Sequence, residues 1–185
     1  MPLFPSVPLL VAFALLTSCS QQEEAAIPEP FRLDAGAIGR YDGMSLMEYD
    51  GPKGQIILTR ISEPIWFSSA RDAIAFTVMP DEPKNIAAIY VSDMAAAESW
   101  ERPGTDNWID AKTAYYVLES RLQGRAGFAE TVPFSTEEAA RAFVEVNGGE
   151  VVRFDDLPLD YILGGAEEDD GETIPADMTD PRRSH

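Results

Sequence analysis

Met44, Met47, Met94 and Asp42 are the side chains of this sequence that could hold a soft metal ion. Thioether sulfur is a soft donor, whereas a carboxylate is a hard one. Met44 and Met47 stand three residues apart, a spacing that puts both on one face if the segment turns helically. The competing role is packing, with Met44 and Met47 as core plugs and Met94 closing the end of a strand. The chain has one cysteine, Cys19, so no intramolecular disulfide forms. Its one histidine, His185, is the last residue. No imidazole is therefore available to a core site, which excludes His-based zinc centres and Ser-His-Asp chemistry.

Other groupings carry less chemistry. Asp42, Glu48 and Asp50 lack the alternate-residue spacing of a calcium loop and read as a solvated turn. Ser68 and Ser135 have no His or Lys base near them in sequence and read as helix N-caps. The run Ser135-Thr136-Glu137-Glu138 fits a capping box with Glu138 as its acid. Trp66, Trp100, Trp108, Tyr115 and Tyr116 read as core and interface aromatics, with Trp100 and Trp108 in a connecting segment where binding a partner is the alternative use. The glycine-rich turns carry no phosphate-loop pattern.

Cys19 has a different part. It follows an apolar run from Leu9 to Leu16 and closes the tetrapeptide Leu16-Thr17-Ser18-Cys19. The run is shorter than the about 20 residues a spanning helix needs, and suits the hydrophobic region of a signal peptide, although no Lys or Arg precedes it. The tetrapeptide is the processing pattern of a bacterial lipoprotein, with Cys19 lipidated and residues 1–18 removed. Ser20, rather than Asp, follows the cysteine, which favours the outer membrane. Residues 19–36 are polar and broken by proline, and read as a flexible tether. Residues 164–185 carry the acidic run Glu167–Glu172 and read as a disordered tail. The net charge of −18 excludes nucleic acid as a partner and leaves the lipid as the route to a membrane.

The elements between these ends repeat. At an offset of 67 residues Glu63 aligns with Glu130, Phe67 with Phe134, Ser68 with Ser135, Ala73 with Ala140, Ala75 with Ala142 and Phe76 with Phe143. Each copy reads as strand, strand, Ser-capped helix, strand. The first strands are Gln55–Arg60 and Ala114–Glu119, and the last are Ala87–Val91 and Glu150–Phe154, the latter entered through Gly148-Gly149. The expected fold class is α+β, two tandem ββαβ lobes at 37–104 and 105–163 arising from an internal duplication, each too small to bury a core alone.

Several stretches, Tyr90-Val91-Ser92-Asp93-Met94, Trp100, Ile109–Val117, Gly51-Pro52-Lys53-Gly54-Gln55, Phe67-Ser68 and Gly148–Phe154, together resemble the NosL family. The resemblance spans about Gly39 to Leu157. It implies a fold of two ββαβ lobes related to that of organomercurial lyase. It also implies a periplasmic lipoprotein that is not an enzyme but a copper(I) chaperone, an accessory factor in nitrous oxide reductase maturation. The implied partners are that reductase or its maturation transporter complex.

The metal motifs of the family are altered. Where it carries Cys-x-x-Cys-Gly-Met, this chain reads Gly39-Arg40-Tyr41-Asp42-Gly43-Met44, and where it carries Gly-x-Met-Gly, this chain reads Gly124-Arg125-Ala126-Gly127. The implied copper(I) ligands fall on Asp42 and Ala126, and a further family cysteine falls on Ser68. Asp42, Met44, Met47 and Met94 remain as candidate donors. The alternative is a paralogue that no longer binds copper and serves as a protein-binding subunit, on the transporter or beside an intact NosL copy. A lyase-like enzyme is disfavoured, because no thiol remains in the folded part.

Overall fold

The computed structural model describes residues 26–124 and 127–164. Cys19, the signal segment, Arg125, Ala126 and the acidic tail from residue 165 lie outside the described residues. Two antiparallel sheets form the frame. The first has strand order β2-β1-β3-β4, from β1 (Gly54–Leu58), β2 (Ile65–Phe67), β3 (Ile86–Ser92) and β4 (Trp108–Asp110). The second has order β6-β5-β7, from β5 (Tyr115–Leu118), β6 (Val132–Phe134) and β7 (Glu150–Arg153). Helices α1 (Ala70–Val78) and α2 (Glu137–Asn147) each follow the second strand of a set, and a short α3 (Leu159–Ile162) closes the described chain. The α+β expectation and the repeated strand, strand, helix, strand order are both present.

Strand alternation sorts side chains into two layers. Ile56, Ile89 and Ile65 are cross-strand neighbours on the face that meets α1. Ala70, Ala73, Ile74 and Phe76 of α1 close that layer, and Tyr116, Leu118 and Ile162 join the same core from the second half. The other face of the second sheet packs Val117, Val132 and Phe134 against Ala140 and Phe143 of α2. The paired identities at offset 67 thus mark equivalent packing: Phe67 and Phe134 are both buried, as are Ala73 and Ala140.

Three expectations are corrected. Trp108 is not in a connector; it opens β4, whose residues pair with β3 in the first sheet. The segment that begins the expected second lobe is therefore stitched to the first. Trp100 packs on the second core cluster. The expected free tether is fixed from Pro28 onward. The buried Gln55 amide reads the main chain of Phe31 in both directions, Phe31 N donating to Oε1 at 2.8 Å and Nε2 donating to Phe31 O at 2.9 Å. The Tyr90 hydroxyl donates to Pro28 O at 2.7 Å, and Leu33 is buried with Leu46, Trp66 and Trp108. Finally, the N-caps are Ser69 and Thr136, each one residue later than expected. Ser68 spends its hydroxyl on Asp42 and Ser135 gives its backbone N–H to Asp93. Thr136 bonds Ala139 N, so Glu138 does not complete a capping box.

Gly54 shows how closely α1 approaches the sheet, since a Cβ there would collide with the Ala73 methyl. Denaturant unfolding of Gly54→Ala is expected to show a loss of about 1–3 kcal/mol, the range for overpacking a tight contact. Adding Ala73→Gly should recover part of that loss.

Candidate functional site at the start of the first helix

The turn 39–44 folds back against the junction of β2 and α1. Gly39 N donates to Met44 O at 2.9 Å and Gly43 N donates to Gly39 O at 2.9 Å. Inside this turn Asp42 Oδ1 accepts from Met44 N at 3.0 Å, and Oδ2 accepts from the Ser68 hydroxyl at 2.6 Å. A Cβ at Gly39 would overlap the Asp42 carboxylate. Residues 39, 42 and 68 therefore converge on one point, and they carry a missing side chain, a carboxylate and a hydroxyl.

The candidate soft donors are placed differently. Met44 is 46% exposed and Met47 55% exposed, so neither plugs the core. A short 3-10 turn spans Leu46–Glu48 with Ser45 as its cap, leaving Met44 outside it. The Tyr49 hydroxyl donates to Met44 Sδ at 2.7 Å. Met47 shares with Tyr49, Leu33, Leu46 and Lys53 the wall of a cavity of about 190 Å³. Met94 stands apart, half-buried with Trp100 in the second core cluster. Among the described residues no three His, Cys, Asp or Glu side chains converge on a metal position. The residues at 39, 42 and 68 thus do not fit a soft ion; sulfur around this turn is on the exposed Met44 and on Met79, whose Sδ accepts from the Tyr41 hydroxyl at 3.4 Å.

Immediately beyond Ser68 lies a group that sequence reasoning missed. Glu130, which leads into β6, is 3% exposed. Its Oε1 accepts from Thr131 N at 2.8 Å, from Arg71 N at 3.1 Å and from the Ser69 hydroxyl at 3.1 Å. The Ser69 oxygen in turn accepts from Asp72 N at 3.3 Å. A carboxylate from the second half thus completes the N-cap of a helix in the first, where backbone N–H groups are unpaired and the helix dipole favours an anion. Burial pushes the Glu130 carboxyl up to about 7, while the Thr131, Arg71 and Ser69 donors oppose the shift. Ser69, Arg71, Asp72, Gly124, Phe128 and Glu130 line a cavity of about 90 Å³ beside it. Lys53, also buried, donates from Nζ to Gly51 O at 2.7 Å and Asp50 O at 2.9 Å. Burial lowers its amine to about 8, with Glu130 and Asp50 acting the other way. One signal for Glu130 was present: it aligns with Glu63 at the offset of 67 residues. Yet Glu63 is exposed, and nothing in the pairing says which copy is buried.

Two antiparallel sheets with their helices, and a turn held against the first helix start by side-chain bonds, define a small α+β protein. The NosL family model matches residues 30–162, and the chain belongs to the NosL family. It is 41% identical over 157 residues to the copper-binding lipoprotein NosL of Achromobacter cycloclastes, covering 84% of this chain and 81% of that one. It is 33% identical over 150 residues to the copper-binding lipoprotein NosL of Stutzerimonas stutzeri, covering 80% and 76%. The crystal structure of the copper chaperone NosL from Shewanella denitrificans superposes with a TM-score of 0.65 at 29% identity, covering 70% of this chain and 95% of that one.

A folded-state pKa above the unfolded value makes the Glu130 contribution largest at low pH. Between about 4.5, the ordinary value, and about 7 the unfolded chain releases this proton first, so stability falls as pH rises. The difference corresponds to roughly 3 kcal/mol. Denaturant unfolding across pH 4–8 should show this decline, and Glu130→Gln should remove that part of the slope.

Proposed function

We propose that this chain is an envelope lipoprotein of the NosL type, anchored through Cys19 after loss of residues 1–18, and an accessory factor in copper handling during nitrous oxide reductase maturation. The observation that carries this reading is the similarity to a copper-binding lipoprotein over 84% of the chain. In it the folded part stands on the periplasmic side, on the outer membrane, and meets the reductase or its maturation transporter. Copper(I) is cargo rather than a resident cofactor. The sulfur it would use is on Met44 and Met47, both solvent-exposed, where an exchangeable ion is reached without opening the core. Met94 is assigned to packing.

A second reading is favoured by one observation, the Asp42–Ser68 bond at a point where no soft atom remains. In that reading the chain binds partners of the assembly machinery, or an intact NosL copy, and carries no metal. Competition for copper(I) against a strong chelator separates the two. The carrier reading expects affinity tighter than micromolar, lost in the Met44→Ala/Met47→Ala double variant. An absence of competition would sink it and leave the partner-binding reading. Copper content of nitrous oxide reductase in cells lacking this chain tests the pathway itself; an unchanged content would contradict both.

A further inference from the structure

We propose that Glu130 is the positioning residue of this site, tying the entry to β6 to the first turn of α1 and, through the Ser68-Ser69 dipeptide, to the turn that carries Asp42 and Met44. The inference rests on the reading of this end of α1 as the working site, and adds how that site is held and released.

The two serines face in different directions. Ser68 donates its hydroxyl to Asp42 Oδ2, and Asp42 Oδ1 holds Met44 N. Ser69 donates its hydroxyl to Glu130 Oε1 and accepts from Asp72 N. One dipeptide therefore joins two carboxylates, one from each half of the chain. Three donors converge on Oε1, so a proton taken up by Glu130 goes to Oε2. That oxygen faces Gly124, where a Cβ would lie 2.7 Å from it. Protonation removes the charge that orients Ser69 and the Arg71 amide, and adds a donor on the side of Gly124. Its effect should appear on both sides of the site at once.

The groups that face Glu130 come from every element around it. On α1 these are Arg71, whose guanidinium lies 5.9 Å from the Phe128 ring, and Asp72. Ahead of β1 there is Lys53. On α3 the Tyr161 hydroxyl donates to Glu130 O at 2.9 Å and accepts from Glu119 N at 3.1 Å. Asp72 raises the affinity of Glu130 for its proton, so its neutralisation should lower the midpoint.

The test is a metal-free NMR titration of the full chain, following the Glu130 carboxyl carbon and the amides of Gly39, Met44, Arg71 and Gly124. The expected result is one shared midpoint near neutral pH in all five signals. Glu130→Gln should abolish the amide shifts, and Asp72→Asn should keep them co-titrating at a lower pH. Amide shifts that persist in Glu130→Gln would overturn the proposal. So would a Glu130 carboxyl that titrates while the Gly39 and Met44 amides stay still. If Glu130→Gln does not fold, the wild-type comparison of carboxyl and amide midpoints decides alone. No metal is added, so this outcome is independent of whether the chain carries copper.

Discussion

Each half of this protein ends a buried carboxylate on the helix start of the other half. Glu130, before β6, receives Ser69 and Arg71 at α1. Asp93, just after β3, receives Ser135 N ahead of α2 at 2.9 Å and Ala95 N in its own half at 2.9 Å. Both side chains are largely out of solvent. A buried carboxylate is costly unless hydrogen-bonded, and a helix start is costly unless its N–H groups find acceptors. At α1 the crossed carboxylate meets both needs with the same bonds, whereas at α2 Asp93 holds Ser135, the residue before the Thr136 cap. Ser69 and Thr136 cap their own helices, and the crossed carboxylates add a polar link that registers the two sheets while the shared apolar core, from Ile56 to Tyr116 and Leu118, holds them together.

This crossing also decides where the candidate site lies. The turn 39–44, the β2–α1 junction and the segment leading to β6 meet because Ser68 and Ser69 are consecutive and point to different carboxylates. The convergence of residues 39, 42 and 68 is therefore a property of the backbone and its polar bonds, and does not depend on a metal. Asp42 fills the space that a side chain at Gly39 would take. The Asp42–Ser68 bond keeps the turn closed, and the thioethers of Met44 and Met47 remain on its surface.

What the residues alone revealed follows from what each signal measures. Period-two apolar runs and the offset of 67 report burial on a local element, and they located six of the seven strands and both main helices. The strand they missed, β4, is three residues long and half-buried, with no alternation to display. The caps slipped by one because Ser-Ser and Ser-Thr offer two equivalent hydroxyls, and only tertiary partners choose between them. The tether was misjudged for a similar reason. Its polar, proline-rich composition has no packing signal of its own, and it is fixed by Gln55 and Tyr90, which lie far along the chain. The altered positions at 39, 42 and 68 were legible by resemblance. Glu130 was not, since an isolated acid carries no mark of burial and its alignment with Glu63 does not say which of the two is buried.

The most direct measurement of the crossed-carboxylate account is native-state amide hydrogen exchange at Arg71 and Ser135. Neither amide belongs to a strand ladder, and each is bonded to a carboxylate from the opposite half. The account predicts that both exchange as slowly as the strand amides of β1 and β5, through the same global opening. Exchange at the rate of the exposed 81–84 loop, with β1 and β5 still protected, would contradict it.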